Sequence, residues 1–380
     1  MRIRKIIIAK VKLPFKDEFS HSLRKRLWVN NIAVILLGEN DRVLGAGEGA
    51  PRSYVTGETA ETVEKDISHL VDRKEFPLDL ECVEQIWALI DAMPCGKEMN
   101  ASICTIEMAL LDALARCENR PLMDYFSKAC FTDTVFYGAA IPLGNLEVVE
   151  KVCERIKALG ISKIKLKLGH DYGHNHRLCE TVSRVYSEGY DLKVDINGAW
   201  GLETGEAHLE LLKRYKVQLL EQPMSPDDPD IIRLSRKALK HGIELMADES
   251  ACTLGDLVAI NGTGCYQVIN IRLSKCGGFR RSLNMIDYCR KRGMKFQIGC
   301  QLGESGLLSA AGRALSLLSN DALYYDGSYD NQLLAQNITD RDVSFEFGGK
   351  AQVLDSTGLG VEVDMKKIKR LSDRFLTINI

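Results

Sequence analysis

The sequence predicts an α/β protein: a parallel (β/α) barrel preceded by a smaller α+β unit. Three observations carry this. Strand-like runs end near residues 141, 168, 196, 221, 248, 272, 299 and 326, at intervals of 24 to 28 residues. Helical patterns fill the intervals, as at 145–159, 228–240 and 278–292. The first ~130 residues follow a different order, strands and then helices, which is the pattern of an α+β unit. Eight evenly spaced strands alternating with helices suit a closed barrel better than an open doubly-wound sheet, the competing arrangement.

Composition narrows the function classes. The 380 residues are 45% apolar and 27% charged, with a formal net charge of −2. That balance gives no footprint for nucleic acid or a membrane surface, and no apolar run reaches the length of a membrane span. Met1-Arg-Ile-Arg-Lys5 leads straight into a short apolar strand, unlike a signal peptide. None of the 12 cysteines forms a Cys-x-x-Cys pair, so reduced thiols are expected rather than a disulfide framework. The expectation is a cytoplasmic protein.

In chain order, residues 3–13 and 32–37 are β-rich, with a hairpin turn at Gly38–Asp41. Gly45-Ala-Gly47-Glu-Gly49-Ala-Pro51 lacks the spacing of a dinucleotide fingerprint and reads as turn and bulge. Helices are expected over 59–73, 79–93 and 101–117, the last the most apolar. Within Lys163-Ile-Lys-Leu-Lys-Leu168 the lysines alternate with apolar residues, so they share one face of a strand. The expected division is 1–130, 131–345 for the barrel, and a tail, 346–380, that packs back on the first unit.

Barrel chemistry gathers at the C-terminal ends of the strands. Lys165 and Lys167 stand on the second strand; Asp195, Glu221 and Asp248 end the third, fourth and fifth. A single acid there would read as a helix cap. Three on consecutive strands would repel one another unless a cation lay between them. An all-oxygen set of this size favours one Mg²⁺, with Mn²⁺ as a substitute, over zinc. A lysine beside it, crowded by other cations, could take a carbon-bound proton. His170, His174 and His176 read as solvated imidazoles.

These residues carry a resemblance. Lys165-Leu-Lys167-Leu-Gly169, Val194-Asp-Ile-Asn-Gly-Ala-Trp200, Glu221-Gln-Pro223, Ala247-Asp-Glu-Ser250 and Lys275-Cys-Gly-Gly278 resemble the enolase superfamily, muconate lactonizing enzyme subgroup. Gly47-Glu-Gly-Ala-Pro51 and Tyr54-Val-Thr-Gly-Glu58 resemble its capping domain. The resemblance implies a modified TIM barrel, (β/α)7β, under an N-terminal α+β capping domain. It implies one Mg²⁺ on Asp195, Glu221 and Asp248, with Asn197 and Glu249 in support. Lys167 would be the acid/base and Lys165 would lower its pKa. The family also implies a homo-oligomer.

The sequence departs from that pattern twice. Arg272 stands where the subgroup places a second lysine, and the nearest lysine is Lys275. Arginine stays charged and makes a poor base, so two-base epimerisation is disfavoured. Tyr324-Tyr-Asp326 replaces the Asp-x-Asp by which dipeptide epimerases read a substrate ammonium. The expected function is therefore proton abstraction α to the carboxylate of a small-molecule substrate, then cycloisomerisation or syn elimination, as in muconate cycloisomerase or o-succinylbenzoate synthase. A racemase or epimerase of N-acyl amino acids or dipeptides, with Arg272 or Lys275 as the partner base, is the alternative; a non-catalytic carboxylate-binding descendant is a second. Substrate contacts are expected from His21, Arg24, Tyr54, Glu304 and Asp326.

Overall fold

Runs rich in Ile, Val and Leu form the first strands, because β-branched side chains pack well on a half-buried pleat. The computed structural model describes residues 1–21, 24–354 and 356–380, the side chains of 17–21 and 24–26 excepted. β1 (Lys5–His21), β2 (Arg24–Leu37) and β3 (Val43–Gly49) make an antiparallel sheet. β13 (Ser372–Asn379) joins the free edge of β1, Ile6 opposite Ile378 and Ile8 opposite Leu376. The order is β13-β1-β2-β3. Three helices follow, α1 (Ala60–Val71), α2 (Val83–Asp91) and α3 (Asn100–Cys117).

The Gly45–Gly49 stretch is the strand β3, not a turn. Its glycines recur every second residue, so all three face the same way, onto α3. A Cβ at Gly47 would stand 2.0 Å from the Thr105 carbonyl oxygen, and one at Gly45 2.4 Å from the Ala113 nitrogen. The missing side chains let helix backbone lie directly on strand backbone. This is why α3 is buried from Asn100 through Ala115.

The barrel runs β5 (Ala139–Ile141), β6 (Lys163–Lys167), β7 (Asp191–Asp195), β8 (Leu219–Glu221), β9 (Glu244–Ala247), β10 (Val268–Ile271) and β11 (Lys295–Ile298), all parallel and each beside its predecessor. The intervening helices are α4 (Leu146–Ala158), α5 (Tyr172–Tyr186), α6 (Leu202–Arg214), α7 (Ile231–Lys240) and α8 (Leu254–Thr263), then the short α9 (Leu273–Cys276) and α10 (Gly278–Arg292). α11 (Gly306–Leu317), α12 (Asp330–Leu333) and α13 (Met365–Leu371) complete the chain, with β4 (Thr134–Phe136) and β12 (Lys350–Gln352) paired as a separate ribbon. Tyr324–Asp326 holds the eighth place without becoming a regular strand. Ile298 N–H donates to Tyr324 O and Asp326 N–H to Ile298 O, while Gly138 N–H, at the start of β5, donates to Tyr325 O. Those bonds complete the ring of a modified (β/α)7β barrel.

Buried polar side chains join the N-terminal unit to the barrel. Glu48, on β3, accepts from Asn31 Nδ2 at 2.6 Å and from the N–H groups of Ser305 and Leu308 at the start of α11. Glu107, on α3, accepts from the N–H groups of Phe279 and Arg280 at the start of α10. A carboxylate at a helix N-terminus meets unsatisfied donors and the positive end of the dipole. Among the described residues no helix is long and apolar enough to cross a membrane.

Gly47→Ala is expected to destabilise the fold by about 1–3 kcal/mol, the usual range for an overpacked core. Urea denaturation checks this; an unchanged midpoint would mean that α3 does not lie on β3 as described.

Candidate active site at the barrel mouth

Strand parity sets which side chains enter the barrel. Lys165 lies in register with Lys193, and Lys167 with Asp195, on the neighbouring strands β6 and β7. Asp195 is in turn in register with Glu221 on β8. Asp248 and Arg272 follow the last residues of β9 and β10. Two-residue periodicity aims these charged groups inward while Leu166 and Val194 point to the surrounding helices. The cost of burying them is met by pairing.

The pairing is dense. Lys167 Nζ donates to Asp195 Oδ2 at 2.9 Å and to Asn197 Oδ1 at 2.6 Å. Asn197 Nδ2 in turn donates to Glu249 Oε1 at 3.3 Å. Lys165 Nζ stands 2.8 Å from Asp326 Oδ2 and 3.3 Å from Glu221 Oε2. Arg272 pairs with Asp248, lies 3.5 Å from Glu221 and donates to Gln301 Oε1 at 3.1 Å. Burial pushes the Lys165 ammonium down, but Asp326 and Glu221 outweigh it and hold its pKa well above the ordinary value. Arg272 is likewise held charged: Asp248 and Glu221 overcome its burial. Burial would raise Asp195, yet Lys167 and Lys165 bring it to about 2. Glu249 goes the other way, to about 8, through burial and the neighbouring Asp248 and Asp195.

Among the described residues no three Asp, Glu, His or Cys side chains stand close enough together to hold an ion. Lys167, Lys165 and Arg272 lie against the three strand-end acids. The donor set itself fits a hard divalent cation: all its donors are carboxylate oxygens on adjacent strand ends. Glu249 Oε2 is buried without a hydrogen bond, and Glu221 Oε2 meets only the Lys165 ammonium, 3.3 Å away.

These groups open into a cavity whose lining includes Lys165, Lys167, Asp195, Asn197, Glu249 and Arg272. Tyr54, Glu304 and Asp326 line it too. Burial pushes the Glu304 carboxyl up to about 8. Lys275 is not part of the lining. It is fully buried beneath Asp248, donating to that residue's Oδ1 at 3.1 Å and to Asn270 O at 2.6 Å. His21 and Arg24 have side chains outside the described residues.

The sequence reading passed over Lys193, Asn270, Gln301 and Asp330. Lys193 donates to Gln297 Oε1 and to both Asp326 oxygens, at 3.0 and 3.2 Å, and sits 4.6 Å from the Tyr324 ring centre. Asn270 Nδ2 donates to Glu221 Oε1 at 2.8 Å. Strand parity was a signal for both, since Lys193 shares the face of Asp195 and Asn270 that of Arg272. No local signal marks Gln301 or Asp330. Asp326 is thus bound by two ammonium groups, which overcome its burial and hold its carboxyl well below the usual range.

Asp326→Asn is expected to destabilise the fold by about 3 kcal/mol or more, because it leaves Lys193 buried without a counter-charge. Asp326 titrates lower in the fold than in the open chain. Its contribution is therefore full above about pH 4 and is lost as the pH falls towards the folded value. Denaturation at pH 7 and in acid checks both, and the variant should lose the acid-side slope that this group causes.

Residues 147–367 match the Enolase C-terminal domain-like family. A hydrophobic dipeptide epimerase of Enterococcus faecalis is 24% identical over 381 residues, spanning 98% of each chain. The structure of an N-succinyl Arg/Lys racemase from Bacillus cereus superposes with a TM-score of 0.88 at 20% identity, all of both chains covered. A dipeptide epimerase from Cytophaga hutchinsonii, complexed with Mg and D-Ala-L-Val, gives a TM-score of 0.86 at 24% identity, again over all of both chains. These relatives are racemases and epimerases, which overturns the expectation of cycloisomerisation or syn elimination. The error has a physical source. Cycloisomerases, lyases and epimerases share the proton abstraction, and the strand-end residues encode only that half; one Lys-to-Arg difference was made to decide the other. The match covers more than half of the chain, and it belongs to the Enolase C-terminal domain-like family, as an enzyme of the enolase superfamily.

Proposed function

We propose that the protein is a Mg²⁺-dependent racemase or epimerase acting at the α-carbon of an N-acylated amino acid or a dipeptide. The observation that carries this reading is Lys167, its ammonium between Asp195 and Asn197 in the wall of the cavity and Arg272 in the same lining. The named activities of the relatives support it. Asp195, Glu221 and Asp248 would hold the ion, with Mn²⁺ able to replace it, and Asn197 and Glu249 would steady them. Bound there, a divalent ion supplies a Lewis acid for the substrate carboxylate and for developing enolate charge.

The chain's own residues do the rest. Lys167, as the neutral amine, would take the α-proton on one face of the substrate; inversion would be completed by a proton delivered from water to the opposite face of the enolate, after which Lys167 returns its proton to solvent. Lys165, kept cationic by Asp326 and Glu221, lends positive charge to the same wall. Arg272 cannot accept a proton, so it serves as a fixed cation for enolate oxygen charge. Glu304, with its carboxyl raised to about 8, is protonated at neutral pH and donates a hydrogen bond to a substrate carboxylate oxygen. Lys275 supports Asp248 from below and takes no part in proton transfer.

A single titratable base on one face gives an asymmetric signature. In D₂O, deuterium should enter recovered substrate of one configuration faster than that configuration inverts, by proton NMR of N-acetyl amino acids and dipeptides. Equal behaviour of the two enantiomers would mean a second working base. Lys167→Ala should lower exchange by roughly a thousandfold, in the range of a lost general base, with unchanged folding by circular dichroism. Chelation by EDTA should abolish exchange, and Mg²⁺ should restore it; exchange that survives EDTA would remove the metal from the reading.

The Glu304 carboxyl also sets a pH limit. Its protonated form is the donor, so kcat/KM should fall as pH rises through about 8. Glu304→Gln, which keeps a donor at every pH, should flatten that limb; a limb that persists in the variant belongs to another group.

A further inference from the structure

The carboxylates that line the cavity are not alike. Asp195 is held by Lys167, and Asp326 by Lys165 and Lys193. Glu249 sits within the strand-end acid cluster, and Glu304 Oε1 accepts the Gln301 N–H at 2.6 Å. Asp330, the first residue of α12, differs from all of them. It is only 2% exposed and lines the cavity. Its Oδ2 accepts from Asn337 Nδ2 at 2.7 Å, while Oδ1 is buried with no hydrogen-bond partner. Asn337 is itself fixed, since its Oδ1 accepts the N–H groups of Gly306 and Ile338 at 2.9 and 2.8 Å. Burial first, and then Asp342, raises the carboxyl, while hydrogen bonding from Asn337 and Ser309 lowers it. Its pKa stands raised to about 6, which leaves it ionised at neutral pH.

A desolvated carboxylate with a free oxygen and a fixed second oxygen is costly unless a positive group arrives to pair with it. Asp326 cannot receive that group, because two ammonium groups already occupy its oxygens. We propose that Asp330 is the specificity residue of this cavity, pairing through its carboxylate with a cationic group of the substrate remote from the α-carbon. This deepens the racemase or epimerase reading and rests on it for the word substrate. The cation could be the side-chain ammonium or guanidinium of a basic amino acid, or the terminal ammonium of a dipeptide; both offer N–H donors to one carboxylate oxygen.

The test uses the full chain in Mg²⁺ buffer with two matched ligand pairs. The first is Nα-acetyl-L-lysine against Nα-acetyl-L-norleucine. The second is L-Ala-L-Leu against its N-acetylated form. By calorimetry, the wild type should bind the cationic member of one pair about tenfold or more tightly than its neutral partner, as a charge-assisted bond to a buried group requires. Asp330→Asn should erase that difference and leave the neutral ligand's affinity unchanged. Which pair discriminates tells side chain from terminus. No discrimination in either pair, discrimination that survives in the variant, or an equal loss for all four ligands would each overturn the assignment. Deuterium exchange on the same samples separates the two claims. Selective binding without any exchange would sink the racemase or epimerase reading alone. Exchange with no preference for the cationic member would sink the Asp330 assignment alone.

Discussion

Charge compensation among buried groups at the barrel mouth is the constraint on which this structure depends. Five basic side chains, Lys165, Lys167, Lys193, Arg272 and Lys275, are buried there beside Asp195, Glu221, Asp248 and Asp326. None of these ions would be tolerable alone. Lys165 is held between Asp326 and Glu221, and Asp248 between Arg272 and Lys275. Removing any one member strands another, so the set is fixed as a unit, and reacting groups are held where a substrate can meet them. The same logic marks the exception: Asp330 has an oxygen that this exchange of charges does not reach.

The N-terminal unit belongs to the site through packing rather than charge pairing. The three glycines of β3 bring α3 backbone to strand backbone, and α3 then delivers Asn100 and Glu107 to the barrel. Asn100 Nδ2 donates to Lys275 O at 2.6 Å, on α9, and to Cys252 O at 3.0 Å, in the loop after β9. Tyr54, which lines the cavity, comes from the same unit. A shift of this unit would therefore reach both the pocket wall and the segments after β9 and β10.

The corrected function shows how far a single substitution can be pressed. Arg272 is an immovable cation, and that part of the reading stands on chemistry. Its consequence for the reaction does not follow from chemistry alone. An enolate, once formed, is steered by the whole pocket, and the residues that do this lie in loops with no common spacing. The Tyr324-Tyr-Asp326 departure has a clearer cause. With Lys193 and Lys165 both on Asp326, one acid at the eighth place is already spent inside the protein.

The barrel, the α+β unit before it and the enzyme superfamily were legible in the sequence. Each rests on local regularity: a steady strand repeat, period-two alternation, and an ordered series of short motifs. Parity also sets Lys193 on the same face of β7 as Asp195. The Gly-x-Gly-x-Gly stretch was misread because its meaning lies in a helix more than fifty residues away. Only the tertiary structure could bring Asp326 to Lys165 and Lys193, since that contact needs the ring to close between β11 and β5. Only it could bury Lys275 beneath Asp248 rather than in the cavity, and set Asp330 in the cavity wall with an oxygen that no hydrogen bond occupies. Spacing along a chain determines which face a side chain takes; which charge it meets depends on chain segments far apart in sequence, and no local pattern records that.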